Sequence, residues 1–340
     1  GHAPRPLLSF AIPTYQHGHA LPQALDSILA SPRAAEVEIV VSNNASTDDT
    51  AEVLARYAAR YPNVRAQDQP TNVTFDENLA CAMDGCTGRY IWTMSSDDAL
   101  IDGALDHMLN LLAALDRDTI ILSNWWIADG DLRPTHLRRT PHPDRLLTAV
   151  ERSVPAVGIW ALFMSCLVLP ADAARAELFR YRGGDGLTHW KIATRLAATG
   201  VPTIEAGTPL VLQRMPDPVD PPYYDVPVVV SQNVRKHLRT LHDDVGLARG
   251  PARAAESRIL RLVIRGFAGT GLQRWPALAR GWFQPLLADY WSFPVFWIWI
   301  APLYVIPRPL LRTLWSTYRS LRTWIGPAHP ATETRAPKVH

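Results

Sequence analysis

Apolar, largely β-branched runs at 7–12 and 37–42 each give way to polar turn residues and then to a helical spacing of apolar positions. This alternation predicts parallel strands joined by helices over 20–30, 49–61, 76–86 and 102–115, with further strands at 90–94 and 119–123. Repeated strand-then-helix units imply an α/β, doubly wound, mostly parallel sheet that binds its ligands at the carboxyl ends of the strands. The segments to watch are therefore 13–19, 43–48 and 95–98. From 125 to 185 the pattern weakens around Pro134, Pro141, Pro143 and Pro155, which predicts an irregular lobe able to receive a second substrate. Helical spacing returns at 187–199. A proline-dense stretch at 216–227 reads as a linker or strap, and 228–263 reads as helix.

Residues 290–307 carry no charge and include Trp291, Trp297, Trp299 and Tyr304. As one helix they would span about 27 Å, close to a bilayer core. Pro294, Pro302 and Pro307 interrupt that helix, and the aromatic residues are spread through it, so an interfacial or re-entrant segment is expected. Packing against the rest of the chain, or a subunit interface in a homo-oligomer, competes with that reading.

Charge sharpens the picture. The net charge is only +2, but 253–322 holds ten arginines against Glu256 and Asp289, so this segment carries +8 and the remainder −6. Arg274, Arg280, Arg308, Arg312, Arg319 and Arg322 would each gain about 1 kcal/mol beside anionic lipid. A membrane surface is the expected partner of this part, and no nucleic acid is expected. Three cysteines with no Cys-x-x-Cys pair point away from disulfides and zinc, and no signal-like segment opens the sequence. A cytoplasmic location at the inner face of the membrane is expected. The expected organisation is a catalytic domain at 1–225, with a nucleotide half to about 124 and an acceptor half beyond it. A helical, aromatic and basic extension at 226–325 and a disordered tail at 326–340 would follow.

No Gly-x-Gly-x-x-Gly turn follows the first strand and no P-loop occurs, which argues against the common dinucleotide and triphosphate sites. The strand ends carry other chemistry: Pro13-Thr14-Tyr15, then Asn43-Asn44-Ala45-Ser46-Thr47-Asp48, then Ser95-Ser96-Asp97-Asp98. Two adjacent carboxylates at a strand end raise one another's pKa unless a cation neutralises them. A divalent metal bridging carboxylate and phosphate oxygens is the natural remedy, although Asp98 could equally cap the helix expected near Asp102.

These motifs, together with Asn72-Val73-Thr74-Phe75-Asp76-Glu77-Asn78, stand in the order and spacing of the family 2 glycosyltransferases of GT-A fold, which the chain resembles over roughly 7–215. Many members resembling it build bacterial O-antigen, capsule or exopolysaccharide. The resemblance implies an inverting transfer from a nucleoside-diphosphate sugar, UDP being the leading carrier, to a hydroxyl of a lipid-linked saccharide, with Mn²⁺ or Mg²⁺ as cofactor. It places Pro13, Thr14, Tyr15, Asn43, Asn44, Asp48, Asn78, Ser96 and Asp97 around the donor. Asp97 would be the chief metal ligand and Asp98 a second ligand or orienting group. Asn43 and Asn44 stand where the family often has Asp, and Ser95 replaces the first Asp of Asp-x-Asp. The general base would be Asp185, ahead of the 187–199 helix, although Gly184 stands where a Glu is usual and a turn or cap role competes. His189, one turn on, could assist it. A catalytically silent nucleotide-sugar-binding scaffold is the alternative from outside the enzymes. A sugar nucleotidyltransferase lacks support for want of a glycine-rich, basic triphosphate loop.

Overall fold

The computed structural model describes residues 5–183, 186–215, 233–270 and 278–302, with isolated positions at 306, 310, 313 and 317. These fall in two compact units, residues up to 215 in one and those from 233 in the other. The first is an α/β unit built on one sheet of ten strands in the order β3-β2-β1-β4-β9-β6-β10-β5, with β7 paired to β6 and β8 to β10.

The parallel core of that sheet comprises β1 (Leu8–Thr14), β2 (Glu38–Asn43), β3 (Val64–Asp68) and β4 (Tyr90–Thr93). All seven residues of β1 are buried, as expected for a strand covered on both faces, which is why it reads as an apolar run instead of an alternation. Helices α1 (Leu21–Leu29), α2 (Thr50–Arg60), α3 (Phe75–Gly85) and α4 (Ala104–Ala113) connect the strands and overlap the predicted spans to within two residues at either end. In α3 the start is fixed by a capping box: Thr74 accepts from the Glu77 N–H, and the Glu77 carboxylate accepts from the Thr74 N–H.

The stretch expected to be irregular is largely ordered. It holds the end of β6 (Ile120–Ala128), then β7 (Pro134–Leu137), β8 (Arg145–Leu147), α5 (Val150–Trp160), β9 (Leu167–Pro170) and α6 (Ala171–Tyr181). Pro155 sits inside α5 and Pro134 opens β7, so neither ends an element as local rules suggested. After α7 (Thr188–Ala198), β10 (Thr203–Arg214) runs parallel to β6 and antiparallel to the short β5 (Ala99–Leu100). β9 inserts antiparallel between β4 and β6, so the sheet is mixed at this point.

The second unit contains α8 (Val234–Val245), α9 (Arg249–Thr270) and α10 (Leu278–Tyr290). The single helix expected over 228–263 is broken at Gly246, which sits at φ 69° as a left-handed C-cap; 228–232 lie outside the described residues. Leu260, Leu286, Tyr290, Phe293, Val295 and Phe296 form its core. Arg235 lies over the Tyr290 ring at 5.1 Å, and Arg253, one of the ten arginines of 253–322, over Phe293 at 4.6 Å. Trp291, Trp297 and Ile298 remain exposed. No helix among the described residues is long and apolar enough to cross a membrane.

Candidate functional site

Sheet polarity brings the carboxyl ends of β1, β2 and β4 to one edge, and three loops meet there. The Thr14 carbonyl accepts the Asn44 N–H at 2.9 Å and Asn78 Nδ2 at 3.3 Å. Asn78 is fully committed to this junction. Its Oδ1 accepts from Ser42 Oγ at 2.8 Å and its Nδ2 also donates to the Ser42 carbonyl at 3.1 Å, so from α3 it clamps β1 to β2. Asn44 is likewise occupied: Nδ2 donates to the Val73 carbonyl and Oδ1 accepts the Val73 N–H. Asn43 donates to Asp68 and accepts from the Ser46 N–H. These amides shape the loops after β1 and β2, and their side chains already have protein partners.

The loops after β1 and β2 are stitched to one another. Gln16 Nε2 donates to Thr47 Oγ1, and its Oε1 accepts the N–H groups of Thr47 and Asp48. The Gly18 N–H in turn donates to Asp48 Oδ2 at 3.0 Å. Asp48 Oδ1 accepts from the Thr50 N–H and Oγ1, so Asp48 organises the turn into α2, while Asp49 occupies the N-cap position. Partial burial pushes the Asp48 carboxyl up, but the hydrogen bonds from Thr50 and Gly18 outweigh it and hold it below its ordinary value. Gln16 and Ala45 both adopt left-handed φ, 56° and 52°, a strained conformation that collects where loops must approach a ligand. Pro13 is buried, Thr14 is 2% exposed, and Tyr15 is 43% exposed at the mouth of this edge.

Gly18 leaves no room for a side chain: an added Cβ would lie 1.8 Å from Asp49 Oδ1 and 2.9 Å from the Thr50 nitrogen. Gly18→Ala is therefore expected to cost about 1–3 kcal/mol by overpacking and to part the two loops. Thermal unfolding with and without nucleotide measures both effects, and an unchanged nucleotide-induced shift would refute the second.

The third loop carries the carboxylates, which the structure separates. Asp97 is half-buried and accepts from Ser95 Oγ. Asp98 is 2% exposed; its Oδ2 accepts from Ser165 Oγ at 2.5 Å and its Oδ1 accepts the Arg214 N–H at 2.9 Å. Burial, with the Asp97 charge beside it, pushes the Asp98 carboxyl well above its ordinary value. Asp98 does not cap α4, whose N-cap position is Gly103. It ties the turn to the β9 side through Ser165 and to β10 through Arg214. Arg214 reinforces this with Nε donating to the Asp97 carbonyl at 2.8 Å. Opposite, His17 Nδ1 lies 2.7 Å from Ser96 Oγ, and burial lowers the imidazole pKa against the pull of Asp97.

Among the described residues no three His, Cys, Asp or Glu side chains gather as a metal cage. The donor set fits a divalent ion held through one carboxylate, Asp97, with the remaining positions left to substrate phosphates and water, a common arrangement for Mg²⁺. Asp185 lies outside the described residues. Its neighbours are held: Asp76, buried in the first turn of α3, accepts the Gly186 N–H at 2.9 Å and the Thr188 N–H at 3.1 Å. His189 is buried with its ring edge-on to Phe75 at 6.4 Å, a packing position.

The sequence marked the 13–19 segment and the 72–78 motif but assigned no role to Gln16, His17, Gly18 or Asp76, and it did not single out Ser165 or Arg214. The first three follow Pro-Thr-Tyr directly, and their polar run was the available signal. Ser165 and Arg214 lie 70 and 117 residues from their partners in the turn, beyond any local pattern. A separate cleft of about 600 Å³, lined in part by Arg5, Glu38 and Arg65, opens at the amino ends of β1 and β2. Its charges are paired, Arg65 with Glu38 and Arg5 with Asp172, and it lies at the opposite ends of the strands from Asp97.

The family described as "Glycosyl transferase family 2" matches residues 9–164. An abequosyltransferase, RfbV of Salmonella typhimurium, is 34% identical over 102 residues, covering 29% of this chain and 30% of that protein. An uncharacterised glycosyltransferase of Rickettsia prowazekii is 28% identical over 125 residues, 36% of this chain and 38% of the relative. The matches thus span well under half the length of these relatives. In fold, the chain is similar to residues 1–349 of S. aureus TarS in complex with UDP-GlcNAc, with a TM-score of 0.59 at 15% identity over 92% of this chain and 91% of that one. The mannosyltransferase PcManGT from Pyrobaculum calidifontis, in complex with GDP-Man and Mn²⁺, gives 0.55 at 16% identity over 94% and 81%. The strand-end loops and the Asp97 turn, apart from their ties to Ser165 and Arg214, fall within residues 9–164, the segment that matches the glycosyl transferase family 2 model.

Proposed function

We propose that this protein transfers a sugar from a nucleoside-diphosphate carrier, UDP first among them, to a hydroxyl of a lipid-linked saccharide in bacterial envelope polysaccharide synthesis, with inversion at the anomeric carbon. The observation that carries this reading is the position of Asp97. Its half-buried carboxylate stands at the carboxyl end of β4, on the sheet edge where the interlocked β1 and β2 loops meet. Loops of this kind suit a nucleotide, and the carboxylate suits the cation that accompanies its diphosphate. Mn²⁺ or Mg²⁺ held there by Asp97 and substrate phosphate oxygens would offset the charge gathering on the departing diphosphate. Asp185 is the proposed base for the acceptor hydroxyl, and Asp76 orders the backbone that follows it at Gly186 and Thr188.

Thermal-shift measurements against UDP, GDP, CDP and dTDP, each with and without Mn²⁺, test the donor half of the proposal. Saturating ligand at 100 times its dissociation constant adds about 2.7 kcal/mol. A metal-dependent shift with one nucleotide supports it, and no shift with any of the four contradicts it. Release of free nucleotide from the matching sugar donor then separates a transferase from a silent binding scaffold.

The second unit supports attachment to the inner membrane surface. Trp291, Trp297 and Ile298 are 64%, 52% and 64% exposed, an aromatic and aliphatic set suited to the headgroup boundary. The expected result is co-flotation with vesicles containing anionic phosphatidylglycerol, reduced at high salt and by Trp291→Ser with Trp297→Ser. Equal flotation of the variant would overturn the assignment of this face.

A further inference from the structure

The turn that holds Asp97 is bordered by an aromatic cluster that the donor reading leaves unused. Ser165, which accepts the Ser95 N–H at 2.9 Å and donates to Asp98, is two residues from Phe163. Phe163 and Trp125 lie with ring centroids 4.8 Å apart, and Trp160 meets Trp125 edge-on at 6.0 Å. Trp125 sits near the carboxyl end of β6, paired in register with Val211 of the parallel β10, three residues before Arg214. The cluster thus lies toward the same ends of the sheet as Asp97. Trp126, the next residue, turns to the other face and packs against Ala99, Ala128 and Leu212, so the two tryptophans serve different layers.

The rings are held rigidly. Trp125 Nε1 donates to Gln213 Oε1, and Trp160 Nε1 donates to Glu205 Oε1, both at 2.8 Å. Arg139 lies over the Trp160 ring at 5.1 Å while pairing with the same Glu205 at 2.9 Å. Arg138 lies within 5.9 Å of both indole rings. Trp160, Phe163 and Arg138 are only half-buried, whereas Trp125 beneath them is 3% exposed. Flat, preorganised apolar rings bordered by polar groups, with indole nitrogens already satisfied, offer stacking area at little entropic cost. A pyranose ring matches this chemistry, with its C–H face against the rings and its hydroxyls toward the guanidinium.

We propose that Trp160, Phe163 and Arg138 form a stacking platform for a pyranose ring of the acceptor saccharide, beside the Asp97 turn. The proposal rests on the transferase reading above, since it supplies that reaction's second substrate.

Saturation-transfer NMR on the full chain, with Mg²⁺ and a mixture of the four nucleoside diphosphates, provides the test. Methyl pyranosides of glucose, galactose, mannose and rhamnose serve as probes. The expected result is saturation of pyranoside C–H protons in the wild type, lost in Phe163→Ala and in Trp160→Leu, while nucleotide saturation persists in all three. Persistent nucleotide signal also shows that each variant is folded. Pyranoside saturation retained in both variants would overturn the platform, as would nucleotide saturation with no pyranoside signal in the wild type; both outcomes leave the donor reading intact. Absence of both signals in the wild type would remove the transferase reading and the platform with it.

Discussion

Asp97→Asn is expected to lower sugar transfer by about 10²–10³-fold, the scale typical for losing one charge-stabilising group at a reacting diphosphate or oxyanion. The same substitution should leave stability within about 0.5 kcal/mol, because this half-exposed side chain accepts from Ser95 and anchors no other element. Asp98→Asn is the instructive contrast. Asp98 bonds to Ser165 and to the Arg214 backbone, so its replacement should shift unfolding by about 1–2 kcal/mol and reduce transfer far less than Asp97→Asn does. Initial rates of nucleotide release, set beside urea unfolding curves, check both arms. Equal losses of activity in the two variants would contradict the division of labour between the adjacent carboxylates.

Glu205→Leu should produce the largest loss of stability, about 3–5 kcal/mol, because it strands a buried cation. Arg139 is 5% exposed and Glu205 14%; besides their 2.9 Å pair, Arg139 donates to the carbonyls of Leu122 and Ala206. Burial pushes the Arg139 guanidinium below its ordinary pKa, with neighbouring Cys166 and Glu205 opposing it, so loss of Glu205 leaves a cation that water cannot reach. Replacing both partners, Arg139→Met with Glu205→Leu, removes the stranded charge and should recover part of the loss. The remaining deficit should be about 1–3 kcal/mol, from Trp160 Nε1 losing its acceptor and the Leu122 and Ala206 carbonyls losing the Arg139 donor. Urea unfolding of the wild type, two single variants and double variant completes the cycle. Additive losses would mean the pair is not energetically coupled.

The first four strands of the sheet were legible because their signals are local. An apolar run such as β1, or the Thr74 and Glu77 capping box, is complete within one element. Strands β7 to β9 and helices α5 and α6 were not legible. Pro134 and Pro155 suggest interruption, yet one starts a strand and the other lies in a helix whose tertiary packing overrides the local penalty. The site followed the same division. Asp97 and Asp48 were visible in strand-end motifs, whereas the commitment of Asn44 and Asn78 to strand-tying hydrogen bonds was not. An amide has the same sequence signature whether it meets a ligand or a neighbouring carbonyl, and only the fold decides. Charge counting along the sequence also could not show that Arg253 stacks on Phe293 within its own unit.

The mutual hydrogen bonding of Gln16 and Gly18 with Thr47 and Asp48 constrains how this site can be re-engineered. Residues 16–18 and 46–48 satisfy one another's polar groups, so a graft that exchanges either loop alone would leave donors and acceptors unmatched. Chimeras intended to exchange carrier preference between related transferases should carry both segments as a single cassette, with the Asp97 turn left in the recipient scaffold.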